Sequence, residues 1–180
     1  MSDERVPSMR IPLPIQTERL LIRDFAPVSD APAMVDVYCD PEVMRFVPDG
    51  VLAGVEAVRA ELEKHAEAQA TRGFSFWAVV ERETDRVIGD VGFGIFEPTS
   101  DIELGYTLAR TAWRRGFATE AASACLAAGL AQLGASRIIA VVDVRNDASM
   151  RVAERLGMEQ VDATEAYGRP HVIFARTPER

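Results

Sequence analysis

Trp113-Arg114-Arg115-Gly116-Phe117-Ala118-Thr119-Glu120-Ala121 stands between a strand-like run, Ile102 to Leu108, and a helix-like run, Ala121 to Leu133. Two arginines and a glycine come directly before a small-residue helix start, so backbone N–H groups there can converge on an anion with little steric obstruction. The free N–H groups of a helix's first turn and the helix dipole both favour negative charge at that end. A diphosphate suits such a turn, and chemistry that carries an acyl group on a diphosphate-bearing carrier becomes the leading idea.

Reading outward from this turn, Leu126, Leu130 and Leu133 fall at helical spacing and Gly134 marks a stop. Arg137 to Val144 is then a nearly unbroken apolar run, as expected of a strand buried on both faces. Strand, helix and buried strand in this order predict a βαβ unit with its crossover helix. Upstream, Phe74 to Glu83, Val87 to Phe96 and Ile102 to Leu108 read as an antiparallel meander. Gly92-Phe93-Gly94 lies inside one of these strands, so it signals close backbone packing rather than a dinucleotide turn.

Glu18 to Phe25 reads as a first strand. Ser29-Asp30 is a candidate cap for a helix to about Asp40, Pro41 to Phe46 a further short turn of helix, and Pro48-Asp49-Gly50 a turn. Val55 to Arg72 has helical spacing with Gly73 at its C-cap, and His65 reads as a half-buried residue on this helix. Beyond the buried strand, Asn146 to Leu156 is a short helix ended by Gly157, and Met158 to Val161 pairs with His171 to Ala175. Residues 1–15, with Pro7, Pro12 and Pro14, read as a mobile lead-in, and 16–180 as a single domain.

At 180 residues the chain can bury a sizeable core. It has no run of about 18 apolar residues to span a membrane and no apolar stretch after its polar start to act as a signal peptide. A cytoplasmic address is the default, and no membrane partner is expected. The formal net charge of −8 argues against nucleic acid, which selects basic faces. It is compatible with cationic substrates such as amines, through steering. The two cysteines agree with a reducing compartment; Cys125, in an alanine-rich helix, reads as a packed thiol. Two histidines and scattered carboxylates show no metal-ligand spacing, so no metal is expected.

Four segments in this order resemble the GNAT superfamily of acyl-CoA-dependent N-acyltransferases: Thr17 through Arg23, Gly105-Tyr106-Thr107-Leu108, Trp113 through Ala121, and Asn146 through Met158. The closer likeness is to the branch of the RimJ and RimL ribosomal-protein N-acetyltransferases, and it covers about residues 15–176. The resemblance implies an α+β fold: a mostly antiparallel twisted sheet of about six to seven strands flanked by about four helices, with one parallel βαβ unit forming the acyl-CoA site. It implies acetyl-CoA as co-substrate and an amine acceptor, and it leaves a homodimer open. The superfamily's pyrophosphate loop is Gln/Arg-x-x-Gly-x-Gly/Ala; Gly116 and Ala118 fit it, while Trp113 occupies the first slot. Arg114, Arg115, Gly116, Phe117, Ala118 and Thr119 are therefore expected around the diphosphate. Asn146 and Ser149 are expected beside the pantetheine arm, though both residue types are also common helix caps.

The family's usual tyrosine on the helix after Asn146, a proposed general acid, falls on Ala153. Ser149, a water or Tyr167 is left to supply a proton to the departing thiolate. An amine attacks a thioester only when neutral, and α-amines (pKa about 8) need less help than lysines (about 10.4). Glu103 is the candidate base, acting directly or through water. Strand alternation puts Glu103, Gly105 and Thr107 on one face, with open space expected beside the carboxylate at Gly105. Backbone N–H groups near Leu108 are candidates to bind the thioester oxygen as it gains charge. The strand Tyr106-Thr107-Leu108 is expected to pair with the pantetheine amides. Three readings follow: an acetyltransferase of protein or peptide N-termini by direct transfer in a ternary complex, a small-molecule amine acyltransferase (amino acid, polyamine or antibiotic), or a non-catalytic acyl-CoA-binding regulator. In the second reading the acceptor pocket would draw on residues 30–72 and 162–170.

Overall fold

A computed structural model describes residues 9–178, in which strands rich in apolar residues build one sheet that the helices cover. In chain order the elements are β1 (Ile15–Gln16), β2 (Leu20–Arg23), α1 (Pro27–Tyr38), α2 (Val55–Arg72), β3 (Phe76–Glu81), β4 (Arg86–Phe96) and β5 (Asp101–Leu108). There follow α3 (Phe117–Gln132), β6 (Ile138–Asp143), α4 (Asp147–Arg155), β7 (Glu159–Ala166) and β8 (Arg169–Arg176). The eight strands lie in the order β1-β2-β3-β4-β5-β6-β8-β7. Every neighbouring pair is antiparallel except β5 and β6, which are joined by α3. The expected mixed architecture holds, with β1 as a short strand that the sequence did not signal.

The two sheet faces carry different cores. On one, Phe117, Ala121, Ala122, Cys125 and Leu126 of α3 pack on Trp77, Val91, Phe93, Leu104 and Ile138. Gly129 permits this approach: a Cβ there would meet the Phe93 ring at 2.5 Å and Ile138 Cδ1 at 2.7 Å. On the other, Met34, Val37 and Tyr38 of α1 and Val58 and Leu62 of α2 cover Ala78 and Val80. Ile139, Ile173 and Ala175 form a further buried group with Phe96.

Helix ends show where local signals were right and where they were overridden. Gly73 ends α2 at φ 84°, and a Cβ there would strike the Met9 carbonyl at 2.1 Å. The helix expected to be capped by Ser29-Asp30 starts earlier, at Pro27, whose fixed φ suits a first helical position. Asp30 instead accepts from the Ala26 N–H at 2.8 Å and takes both guanidinium nitrogens of Arg23. Of the expected lead-in, residues 1–8 lie outside the described residues. Ile11 is fully buried and donates its N–H to Gly73 O at 2.9 Å.

The first and third of the segments that carry the family likeness meet in space. Glu120, in the first turn of α3, accepts from Thr17 Oγ1 (2.6 Å), the Arg19 N–H (2.9 Å) and Arg19 Nε (2.7 Å). Arg19 also donates to the Arg115 carbonyl and lies over the Phe117 ring at 4.6 Å. One carboxylate thus ties the start of α3 to the turn between β1 and β2. Glu120→Ala removes these three hydrogen bonds and the ion pair with Arg19, and we expect it to lower unfolding free energy by about 2 kcal/mol in urea titration.

Candidate active site

Strands β5 and β6 are paired only at Ile102↔Ile138 and Glu103↔Ile139. Beyond that point β5 stays on β4 through Leu108, while β6 stays on β8 through Asp143. The strands therefore separate and leave a cleft between two backbone edges. Ala109 donates its N–H to Ile88 O at 2.9 Å, next to the Gly89↔Leu108 pair. Main-chain groups alternate in direction along an antiparallel strand, so the Tyr106 and Leu108 N–H groups point away from β4, into the cleft. A cleft edged by unpaired strand amides suits an extended chain that carries amides of its own.

The start of α3 lies at the open end of this cleft. Gly116 precedes it at φ 81° and Arg114 at φ 59°, and the first intrahelical bond runs from the Glu120 N–H to Gly116 O. The N–H groups of Phe117, Ala118 and Thr119 therefore have no partner within the helix. The Trp113 indole N–H donates to Leu108 O at 2.8 Å and ties the turn to the end of β5, a role for Trp113 that its place in the motif did not reveal. Phe117 and Leu108 have buried side chains, so each can offer an anion or an oxygen only its main chain. The Arg115 guanidinium is turned to Glu81 and over the Phe117 ring. Arg114 is exposed at this turn.

On the α1/α2 face, Glu103 sits where β5 and β6 part. Burial pushes its carboxyl up to about 7, against the pull of the Val141 N–H and the Tyr167 hydroxyl. Tyr167 stands in the tight β7–β8 turn at φ 54°, followed by Gly168 at φ 71°, and its hydroxyl reaches Glu103 Oε2 at 3.5 Å. This hairpin also meets the α1–α2 connection, where Arg169 donates to Arg45 O at 3.2 Å. The two regions expected to form an acceptor pocket thus meet beside Glu103. The open space expected at Gly105 is not there, because the Phe76 ring lies on it and a Cβ at Gly105 would stand 3.0 Å from Phe76 Cε1. Glycine lets the ring seat on the strand rather than leaving room for a substrate.

On the α3/α4 face, Asn146 caps α4 by accepting from the Ser149 N–H at 3.1 Å. The Tyr106 hydroxyl donates to Ser149 Oγ at 3.0 Å, across from β5. Ala153, one turn further on, is 3% exposed and part of the core. Cys125 is wholly buried, its thiol pushed up by burial alone, so it is packing, as expected.

A family model for the acetyltransferase (GNAT) domain matches residues 19–159. The chain belongs to the GNAT acetyltransferases. It is 30% identical over 155 residues to YoaA of Bacillus subtilis, named as an uncharacterized N-acetyltransferase, covering 85% of this chain and 86% of that one. It is 32% identical to YnaD of the same organism, named likewise, over 81% of this chain and 82% of that one. A GNAT-family acetyltransferase from Bacillus anthracis superposes with a TM-score of 0.81 at 27% identity, over 93% of this chain and all of that one. This GNAT protein is an N-acetyltransferase, and its fold implies acetyl-CoA as co-substrate. The unpaired β5 edge and the open amides of α3 fit that molecule's amide-bearing arm and its diphosphate. Among the described residues no helix is long and apolar enough to cross a membrane.

The GNAT site has a neighbour that the sequence did not signal. Asp90 of β4 is 2% exposed, accepts from the Tyr38 hydroxyl at 2.6 Å, and leaves Oδ1 without a hydrogen-bond partner among the described residues. Tyr38 also approaches His65 Nε2 (3.4 Å), whose Nδ1 lies 3.4 Å from Ser75 Oγ. The His65 ring stacks on Phe25 at 6.0 Å and meets Phe76 at 5.5 Å, so this network backs the ring that covers Gly105. Burial drives Asp90 up to about 7 and lowers His65, keeping the imidazole neutral. An aspartate inside a strand has no sequence signal for burial; only the packing of α1 over β4 makes it one.

The folded chain holds the Asp90 proton up to about 7, whereas the unfolded chain releases it near 3.8. Between those values the native state binds more protons, so stability falls as pH rises. Asp90→Asn should lessen the fall in urea midpoint between pH 5 and pH 8. An equal fall in both proteins would show that Asp90 does not titrate this way.

Proposed function

We propose that this GNAT enzyme acetylates the α-amine of a protein or peptide N-terminus in the cytoplasm, by direct attack in a ternary complex, as the RimJ/RimL branch does. The observation that carries the reading is the position of Glu103: a carboxyl raised to about 7 where the two strands part. A base of that strength is matched to an α-amine near 8 and is far weaker than a lysine near 10.4 requires. A solved structure that shares this fold with a TM-score of 0.76, at 18% identity, is a ribosomal-protein-S5-alanine acetyltransferase from Vibrio fischeri. That likeness shows the fold alone.

Acetyl-CoA supplies the acetyl group as a thioester. The chain's part is to hold it and move protons. The α3 amides, Gly116 and Arg114 take the diphosphate, and Asn146 and Ser149 border the arm. The inward Leu108 N–H meets the carbonyl oxygen as it gains charge, a contact that strengthens along the reaction. Glu103 takes the amine proton, and Ser149 gives one to the departing sulfur. Tyr167 steadies the Glu103 carboxylate and borders the acceptor side.

Glu103→Gln should lower kcat/KM by about 10²- to 10⁴-fold while leaving acetyl-CoA binding by calorimetry intact. In the wild type, kcat/KM should rise most steeply below about 7, where Glu103 loses its proton, less steeply up to about 8, where the α-amine loses its own, and then level. A wild-type profile without that inflection removes Glu103 as the base. In an acceptor panel, peptides with free N-termini should release CoA faster than lysine side chains of N-blocked peptides. Turnover of amino acids or polyamines with none of peptides would assign the enzyme to small amines.

A further inference from the structure

We propose that Tyr106 and Ser149 work as a two-hydroxyl relay, in which Tyr106 orients and recharges the serine that protonates the departing thiolate. This rests on the acetyl-transfer reading above and on Ser149 as its acid.

Three observations lead to it. First, α4 offers no phenol of its own, since Ala153 stands in the slot where the family has its tyrosine and is packed in the core. Second, Tyr106 projects from the part of β5 that β6 has left, and its hydroxyl lies 3.0 Å from Ser149 Oγ. A phenol (pKa about 10) is a much stronger acid than an aliphatic alcohol, so Tyr106 donates and Ser149 accepts. A serine hydroxyl has one hydrogen; with its lone pair engaged by Tyr106, that hydrogen points elsewhere. Third, the Ser149 main chain is held by the Asn146 cap at 3.1 Å, in the first turn of α4, where the helix dipole favours developing negative charge. Burial raises the Tyr106 hydroxyl above its usual range, so the phenol keeps its proton until one is drawn from it.

The step balances without an added reagent. The amine nitrogen forms a bond to the acetyl carbon and loses its proton to Glu103. The carbon–sulfur bond breaks with its electron pair on sulfur, which takes the Ser149 proton. Ser149 takes the Tyr106 proton in the same movement. The phenolate is then reprotonated from water, and Glu103 returns its proton to water, so no net charge remains on the protein. Tyr106 acts through Ser149 and is a positioning residue.

The test compares wild type, Tyr106→Phe, Ser149→Ala and the double variant, with acetyl-CoA as donor and two acceptors: the best peptide of the panel and hydroxylamine. Hydroxylamine is already neutral at neutral pH and its nitrogen can lose its proton to water after attack, so this arm does not rely on Glu103 to make the nucleophile. Tyr106→Phe should lower kcat by about tenfold to a hundredfold with both acceptors, with the calorimetric Kd for acetyl-CoA unchanged. The double variant should be no slower than the slower single. The solvent isotope effect, dependent on two protons in the wild type, should depend on one in Tyr106→Phe. A merely structural role would weaken acetyl-CoA binding and leave the isotope effect alone. Tyr106→Phe within twofold of wild type, losses that multiply in the double variant, or no wild-type turnover of either acceptor would overturn the relay. Coupled losses alongside an inert Glu103→Gln would leave the relay standing and remove only the base.

Discussion

The parting of β5 from β6 after Glu103 and Ile139 is the constraint on which the site depends. A parallel pair that continued to Leu108 would satisfy its own amides and close the sheet. Here β5 is held by β4 on one side and β6 by β8 on the other, both at full length. Two rigid halves of one sheet thus meet at two residues. The cleft between them is kept open by the rest of the sheet rather than by a loop, so its edges are ordered before anything enters.

The two faces of that cleft have been given different chemistry by the helices that cover them. Toward α1 and α2 lie carboxyls, Glu103 and Asp90, both raised to about 7 by burial. Toward α3 and α4 lie hydroxyls, Tyr106 and Ser149. Strand alternation enforces this separation of carboxyl from hydroxyl: Glu103 and Tyr106 differ by an odd number of positions.

Several signals were legible because they are local. Spacing and Gly73 give the α2 helix, and a strand, a helix and a buried apolar run in that order give the βαβ unit. The Ser29-Asp30 cap was misplaced because the pairing of Asp30 with Arg23, on a neighbouring strand, competes with a local cap. Gly105 was read as space and proved to be the seat of Phe76. Both errors have one cause: the partner lies outside the element being read, and residue type alone does not name it. The Thr17-Arg19 segment and Glu120, from two of the segments that carry the likeness, touch, a contact that no single-segment reading supplies.

The sequence by itself determined the order of the elements from β2 onward, the glycine turn before α3, the cap at Asn146 and Glu103 as a strand residue, because each follows from backbone geometry within a few neighbours. Tertiary structure alone decided that β6 leaves β5 at Glu103, that Arg115 is spent on Glu81, that Asp90 is buried under Tyr38, and that Tyr106 reaches Ser149. Each of these joins residues that different elements carry, and burial and direction of a side chain exist only once those elements have packed.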